Sequence, residues 1–415
     1  MSTLSIESGP NRLVCRRPQL QDTVQPTRYP ELIGHQEADV IVVGAGIVGI
    51  AHALLLAELG CQVVIVDQGR IGLGTTQEQA RMITRAFDEP FDRLADRYGI
   101  EKLKQLFQIS NLAQKSLYSY IGRHRLDCDF LHCHSDFGAY RSNEQSLRSM
   151  WSAIKGIDEG TVLLTGKKAS VAYERFAELI RFRNEGTYNV LKFINESLKR
   201  KKARRFIRVF EQSQVTDVSV SRSQVTVSTE RGDVRAPHCV IATGSPGLLT
   251  EEFTEIFHPV FQDSTVSAVV RYDEPHGYRT NINRFDTPYV NCWRAIDPRT
   301  LHVTGMGLCP EKETWNDGDD PLEALLRFVD SYLGRGYEVT HTWSSRETRK
   351  PIIDTKDGLM VAGPHPYFPR QVTLSLGAGG TGNVNAFIAA NVNVGRIFFG
   401  EENPFGQLFD INRFA

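Results

Sequence analysis

Two glycine-rich runs could do chemistry in this chain: Val43-Gly44-Ala45-Gly46-Ile47-Val48-Gly49 near its start and Gly377-Ala378-Gly379-Gly380-Thr381-Gly382-Asn383 near its end. The first follows an apolar run at residues 39–43 and opens an apolar stretch of helical length. In that setting Gly44 permits a tight turn, Gly46 lets the backbone approach a diphosphate, and Gly49 lets helix and strand pack closely. The backbone N–H groups from Ala45 through Ile47 and Val48, at the positive end of the helix, suit a diphosphate. Asp67, with Gln68 beside it, closes the next apolar run, where a carboxylate can bond adenosine ribose hydroxyls and disfavour a 2′-phosphate. The spacing therefore predicts a dinucleotide site that is not for NADP. A third segment, Val240-Ile241-Ala242-Thr243-Gly244, reads as a buried strand ending in small residues.

These motifs need elements to hold them. Residues 39–43 and 61–67 read as parallel strands joined by a helix ending near Gly60, a βαβ unit. Residues 91–122 read as helix, 129–141 as a short strand pair, 144–155 as helix and 172–202 as a further helix ending in the basic run 199–205. Alternation predicts strands from 206 to 242 and again over 258–310, then a helix over 321–333. The fold class expected is α/β, α+β overall, with a Rossmann-like unit and an antiparallel sheet. No linker separates the two, so they are expected to interleave. The expected division is an extended arm at 1–36, a cofactor domain at 37–110, 172–257 and 341–415, and a substrate domain at 111–171 and 258–340.

With 48 basic and 49 acidic side chains, the chain has no field to bind nucleic acid or an anionic membrane in bulk. No apolar run reaches about 18 residues, so no transmembrane segment is expected. Cys15, Cys61, Cys128, Cys133, Cys239, Cys292 and Cys309 are odd in number and scattered, which suits reduced thiols and a cytoplasmic location. Cys128, His132, Cys133 and His134 sit in one predicted strand rather than in separated ligand pairs, so no metal site is expected. The basic run lies at a predicted helix end, where cations suit the dipole.

In order and spacing, these motifs resemble the D-amino-acid oxidase superfamily, closest to its sarcosine oxidase and glycine oxidase branch, over residues 38–415. The tail Phe409 to Phe414 is similar as well, and so is Ala80-Arg81-Met82-Ile83-Thr84-Arg85-Ala86-Phe87, beside the sarcosine oxidase segment Thr-Arg-Ile-Ile-Arg-His-Ala-Tyr. The resemblance implies a glutathione-reductase-type fold that binds FAD. It gives Val215 an adenine contact and Ala242, Thr243 and Gly244 a second contact with ADP. It aims the helix opened by Gly377, Gly379, Gly380, Thr381, Gly382 and Asn383 at the isoalloxazine, and sets Arg81 against the flavin.

The implied activity is oxidation of an amine or amino-acid-like substrate at the carbon beside nitrogen. A hydride equivalent passes to the flavin, an imine forms, and O2 or a separate acceptor reoxidises the cofactor. The same fold could instead serve a hydroxy acid or a tailoring reaction, or bind flavin without turnover. Several positions depart from the family pattern. Thr84 and Val384 stand where substrate-carboxylate cations would, with Arg85 one position late. His341 matches the position of a flavin-linking cysteine, which implies non-covalent FAD. His302 matches an O2-activating lysine, with Arg294 as a substitute. Arg346 and Arg349 are further carboxylate candidates. Tyr272, Tyr278, Tyr289, Trp293 and Trp343 are candidate substrate-side aromatics, with Trp343 favoured.

Overall fold

The computed structural model describes residues 14–139, 144–166, 178–248, 255–260, 265–277, 282–286, 289–307, 320–344 and 352–414. The chain runs through β1 (Gly34–Glu37), β2 (Val40–Val43), α1 (Ile47–Glu58), β3 (Val63–Val66), β4 (Met82–Ile83), α2 (Phe91–Tyr98) and α3 (Ile100–His124). β5 (Leu131–Ala139), α4 (Glu144–Ile154), β6 (Thr161–Thr165), β7 (Glu178–Thr187), α5 (Val190–Lys199) and α6 (Lys201–Phe206) follow. Next come β8 (Ile207–Phe210), β9 (Val215–Val220), β10 (Val225–Thr229), β11 (Gly232–Ala236), β12 (His238–Ile241) and β13 (Phe257–Val260). The last part holds β14 (Thr265–Tyr272), β15 (Ile282–Asp286), β16 (Tyr289–Asp297), β17 (Thr300–Gly307), α7 (Pro321–Phe328), β18 (Tyr337–Ser344), β19 (Ile352–Thr355), β20 (Val361–Pro364), β21 (Val372–Leu376) and α8 (Gly382–Phe399).

β2 and β3 are runs of Val and Ile buried at every position, as strands covered on both faces require. They sit in a six-stranded sheet of order β20-β21-β12-β2-β3-β8, parallel except at the β20 edge. Alternation divides the contacts. Val40, Val42, Val63 and Ile65 join the core built with α1, α3 and α8. Ile41, Val43, Val64 and Val66 pack instead against Val225, Val227 and Val234 of the sheet β1-β11-β10-β9. His52 fastens α1 to its neighbours, its ring bonding the Val48 carbonyl at 2.8 Å, the Ser375 hydroxyl at 3.1 Å and the Asn393 amide at 3.3 Å. Full burial lowers its pKa to about 4, so it serves as a neutral tie.

The expected extended arm is, over its described residues, packed onto the body. Cys15 pairs in parallel with His341, Leu20 and Leu32 are buried, and β1 adds a parallel edge to β11. The amides of Tyr29 and Leu32 donate to Glu211 and Ser213.

The second large sheet has the order β18-β14-β17-β16-β15-β5-β7-β4, with β6 on β7. Three sequence expectations change here. Over the described part of 172–202 the expected helix is the strand β7 followed by α5. Its charges at Arg181 and Glu185 have helical spacing, but pairing with Asp136 and Arg85 lets them sit in a sheet. Helix 91–122 is two helices, broken at Gly99, whose φ of +80° ends α2. The strand pair at 129–141 is the single strand β5, joined to distant β7 and β15.

Alternation gives this sheet two unlike faces. Val266, Ala268, Val270, Tyr272, Trp293, Ala295, Leu301 and Val303 pack on Leu325, Phe328 and Val329 at α7. Across the strands, Arg294 lies opposite His302, His302 opposite Val269, and Ser267 opposite both Thr304 and Trp343. That register carries Ser267, Arg294, His302, Thr304 and Trp343 on the other face. Among the described residues, no helix is long and apolar enough to cross a membrane.

Candidate active site

Gly44 leaves β2 with φ +106°, and its N–H donates to the Val66 carbonyl at 2.8 Å. A Cβ there would stand 2.3 Å from the Ala242 oxygen, so only glycine lets the tips of β2 and β12 meet. Gly46 precedes α1 and supplies no side-chain cap. Gly49 lies one turn in, where a Cβ would be 2.0 Å from the Gly44 oxygen. The Asp67 carboxylate accepts the amides of Ala45 at 2.6 Å and Gly69 at 2.7 Å, and Ile47 N–H donates to Thr76 Oγ1 at 3.0 Å. Asp67 thus braces the turn.

A cavity of about 380 Å³ opens in front of this turn. Gly44, Gly46, Ile47, Val48, Asp67 and Gln68 line one end, and Ala242, Thr243 and Gly244 the flank. Thr304, Trp343, Ile353, Gly379, Gly380 and Gly382 line it as well. The register of the second sheet therefore brings Thr304 and Trp343 to the same space as the glycine turn.

Several expected ligand residues are placed otherwise. Val215 opens β9 and packs against the core beneath that sheet rather than lining the cavity. Gly377 packs against Thr355 and Phe257. Asn383 spends its side chain on protein, donating to the Met82 carbonyl at 2.7 Å and accepting from Tyr188 at 2.8 Å. Thr381 caps α8 by position, yet its amide and that of Gly380 donate to Asp88. Asp88, which sequence reasoning missed, therefore takes two of the amides expected to face the isoalloxazine. Tyr272 and Trp293 belong to the core against α7, and Tyr272 bonds the carbonyls of Leu333 and Gly334. Tyr278, Cys309, Arg346 and Arg349 lie outside the described residues, and the side chain of Tyr289 is not described.

Asp88 has a neighbour that titrates unusually. Burial, then the charge of Asp88, raises the Asp354 pKa to about 8. The folded form keeps its proton while the unfolded carboxyl ionises near about 4. Stability conferred by this group consequently falls as pH rises from about 4 to about 8 and is level above that. Asp354→Asn is expected to match the parent in melting temperature near the bottom of that window and to exceed it increasingly towards pH 8. A constant difference across the window would show that Asp354 is ionised in the fold.

Arg85 is fully engaged by protein. Nε donates to Glu185 at 2.8 Å, Nη1 to Asp158 and Asn111 at 2.9 Å, and Nη2 to the Arg183 carbonyl at 2.7 Å. It is thus removed from the candidates for a substrate anion. Arg81 is buried, in the left-handed region at φ +58°, with Nη2 on Gln19 of the arm. Burial lowers its pKa to about 10, which leaves it a cation at neutral pH.

His302 does not have the protonated form that an O2-activating charge requires. Burial, followed by the charges of Arg81 and Arg294, pushes its pKa well below the ordinary imidazole value. Its Nε2 lies 3.2 Å from Thr304 Oγ1, which in turn meets Ser267 Oγ at 2.9 Å, and its ring centroid is 5.0 Å from that of Trp343. The row fixes the hydroxyl at the cavity wall. His302→Gln is expected to leave the pH profile of flavin reduction between about pH 6 and 8 unshifted, measured by anaerobic rapid mixing. Loss of an inflection in that range would show that His302 titrates there.

The cavity fits a dinucleotide by its own features: a glycine turn at the start of α1, a strand crossing no side chain could enter, and a groove continuing to a polar sheet face. Comparison with known proteins agrees. The structure is similar to glycine oxidase from Geobacillus kaustophilus, with a TM-score of 0.70 at 18% identity over 92% of this chain and 98% of that one. It is similar to L-proline dehydrogenase from P. horikoshii, with a TM-score of 0.72 at 15% identity over 93% and 98%. In sequence it is 19% identical, over 93% of its length and 73% of the relative's, to YhfW of Bacillus subtilis (strain 168), described as a Rieske 2Fe-2S iron-sulfur protein. The model of the FAD dependent oxidoreductase family matches residues 39–392, most of the chain, and with its glycine turn and cavity the protein belongs to that family.

Proposed function

We propose that this FAD-dependent oxidoreductase oxidises an amine or amino-acid-like substrate at the carbon beside nitrogen, with FAD held non-covalently. The observation that carries this reading is the continuity of one cavity from the glycine turn to Thr304 and Trp343. When bound, FAD supplies the two-electron acceptor for the C–H bond. The glycine turn, Asp67, Gln68 and residues 242–244 hold the dinucleotide portion. Trp343 forms an apolar wall that excludes water, and the Ser267–Thr304–His302 row orients a hydroxyl at that wall without supplying charge. No protein acid or base is needed for such an oxidation, so a neutral His302 is compatible with it. The imine product hydrolyses in water, and O2 or a separate acceptor takes the electrons.

Similarity in fold to proteins named glycine oxidase and L-proline dehydrogenase supports the choice of substrate class. His341, at the position matching a linking cysteine, bonds Asp22 at 2.8 Å and Thr340 at 3.0 Å, which supports a non-covalent cofactor. The holoenzyme is mixed anaerobically with a panel of amines, amino acids and hydroxy acids while its visible band is followed. Bleaching by members of the amine set is expected. Bleaching by hydroxy acids alone, or by nothing, overturns the reading. Acid precipitation is expected to release yellow flavin into the supernatant.

A further inference from the structure

The N-terminal arm from Cys15 to Asp22 lies against β18, and both ends of that stretch meet one side chain there. Cys15 N–H donates to the Thr340 carbonyl at 3.0 Å, and the Cys15 carbonyl accepts from Thr342 N–H at 2.9 Å. These two bonds hold the cysteine beside His341. The short helical turn Gln19–Thr23 then brings the chain back, so that Asp22 Oδ2 stands 2.8 Å from His341 Nε2. One ligand atom from each of Cys15, Asp22 and His341 lies within 4.8 Å of the other two. The other described cysteines, Cys61, Cys128, Cys133 and Cys239, are buried, so Cys15 carries the described thiol that an aqueous ion can reach.

The hydrogen bonds around His341 fix its tautomer. A carbonyl can only accept, so the Thr340 hydroxyl spends its proton on the Val269 carbonyl at 3.2 Å. Thr340 Oγ1 must then accept from His341 Nδ1–H at 3.0 Å. In the neutral ring this leaves Nε2 with a lone pair, aimed at the carboxylate oxygen of Asp22. Two lone pairs that close require a cation between them, either a proton or a metal ion. A ring nitrogen tied to a neighbouring oxygen is also what orients a metal-binding histidine. Arg17 pairs with the other Asp22 oxygen, Oδ1, and leaves Oδ2 to the site. Thiolate, imidazole and carboxylate are the donors that zinc takes, at bond lengths of about 2.0–2.3 Å. Tetrahedral geometry at those lengths sets donor atoms about 3.3–3.7 Å apart. The imidazole and carboxylate have to part by about half an ångström, and the thiol to close in by about 1 Å.

We propose that Cys15, Asp22 and His341 form a site for a zinc-like divalent cation, with water as the fourth ligand, which clasps the arm to β18. None of the three is among the residues that line the cofactor cavity, so the ion's role is structural. The clasped loop carries Gln19, bonded to Arg81, and Gln21, whose Nε2 donates to Gln77 at 2.6 Å. Gln77 adjoins Thr76, which lines the cavity and accepts the Ile47 amide. Filling the site therefore steadies the arm behind one wall of the cavity. Sequence spacing hides the site, because Asp22 and His341 are 319 residues apart.

The test uses the flavin-loaded protein without a histidine tag, stripped by a chelator and then titrated with zinc. A single equivalent is expected to bind and to raise the melting temperature. Co2+ in its place is expected to give a thiolate charge-transfer band and tetrahedral ligand-field bands, the latter to the red of flavin absorption. Cys15→Ser and His341→Gln are each expected to lose at least about 100-fold in zinc affinity, the most that a mere supporting partner of a ligand contributes. In His341→Gln the amide can still donate to Asp22, so the arm stays docked and only the response to metal disappears. Before metal is added, both variants should melt close to the parent. If the parent and Cys15→Ser bind zinc equally, or Co2+ gives no thiolate band, the cation between His341 and Asp22 is a proton and the proposal falls. Full zinc binding by His341→Gln would overturn it as well, since the ion would then sit elsewhere.

Discussion

Gly44→Ala is expected to yield a protein that purifies without flavin. The new methyl group would lie 2.3 Å from the Ala242 oxygen and 2.8 Å from the Ala242 carbon, both backbone atoms. Neither can yield, because Ala242 N–H donates to the Val43 carbonyl at 2.8 Å and Gly44 N–H to Val66. Overpacking costs about 1–3 kcal/mol, and an L-residue forced to φ +106° costs about 1–3 kcal/mol more. Relief can come only by parting the tips of β2 and β12, the place where the diphosphate turn is shaped. The ratio of visible to protein absorbance after purification, with a denaturation midpoint, measures both effects. Gly60→Ala is the control, since it too has positive φ, at +92°, but nothing within 4 Å of a Cβ. It should lose a little stability and keep its flavin. A Gly44→Ala protein with full flavin would mean that this turn does not hold the cofactor.

Arg85→Met is expected to destabilise the fold by about 3–5 kcal/mol, the cost of leaving a buried partner charge uncompensated. Glu185 is fully buried in β7, and Arg85 reaches it, Asp158 and Asn111 together from the segment after β4. The pair holds one edge of the second sheet to the turn before β6. Arg85→Lys keeps a charge but loses the fork and should fall between the two. In Arg85→Met combined with Glu185→Leu the orphaned acid is gone, so much of the loss should be recovered. A denaturant midpoint for each variant checks the series. A near-neutral Arg85→Met would show that Glu185 is protonated in the fold.

The cofactor half was legible because its demands on sequence are strict. A tight turn, a close crossing and a buried parallel strand admit few residue types, so Gly44, Gly49 and the Val/Ile runs of β2 and β3 announce themselves. The second sheet was harder to read. In β7, Arg181 and Glu185 are four apart and read as one face of a helix until their partners Asp136 and Arg85, far off in sequence, come into view. Arg294 was legible only as a substitute for His302. Nothing local says that, among the described residues, its Nε and Nη1 find no acceptor. Asp88 reads as an ordinary acid until Gly379 and Gly380 fold beside it.

The order β20-β21-β12-β2-β3-β8 also bears on how the protein is made. During synthesis β2 and β3 leave the ribosome early, but β12, which must lie beside β2, is near residue 240, and β21, which flanks β12, is near 372. Until then the nascent chain displays Val and Ile runs whose edges have no mate, the situation in which chains associate with one another. Long-range pairing of this kind is also slow. Yield should therefore depend on the pace of translation and on chaperone supply, and slow, cool expression should favour soluble protein.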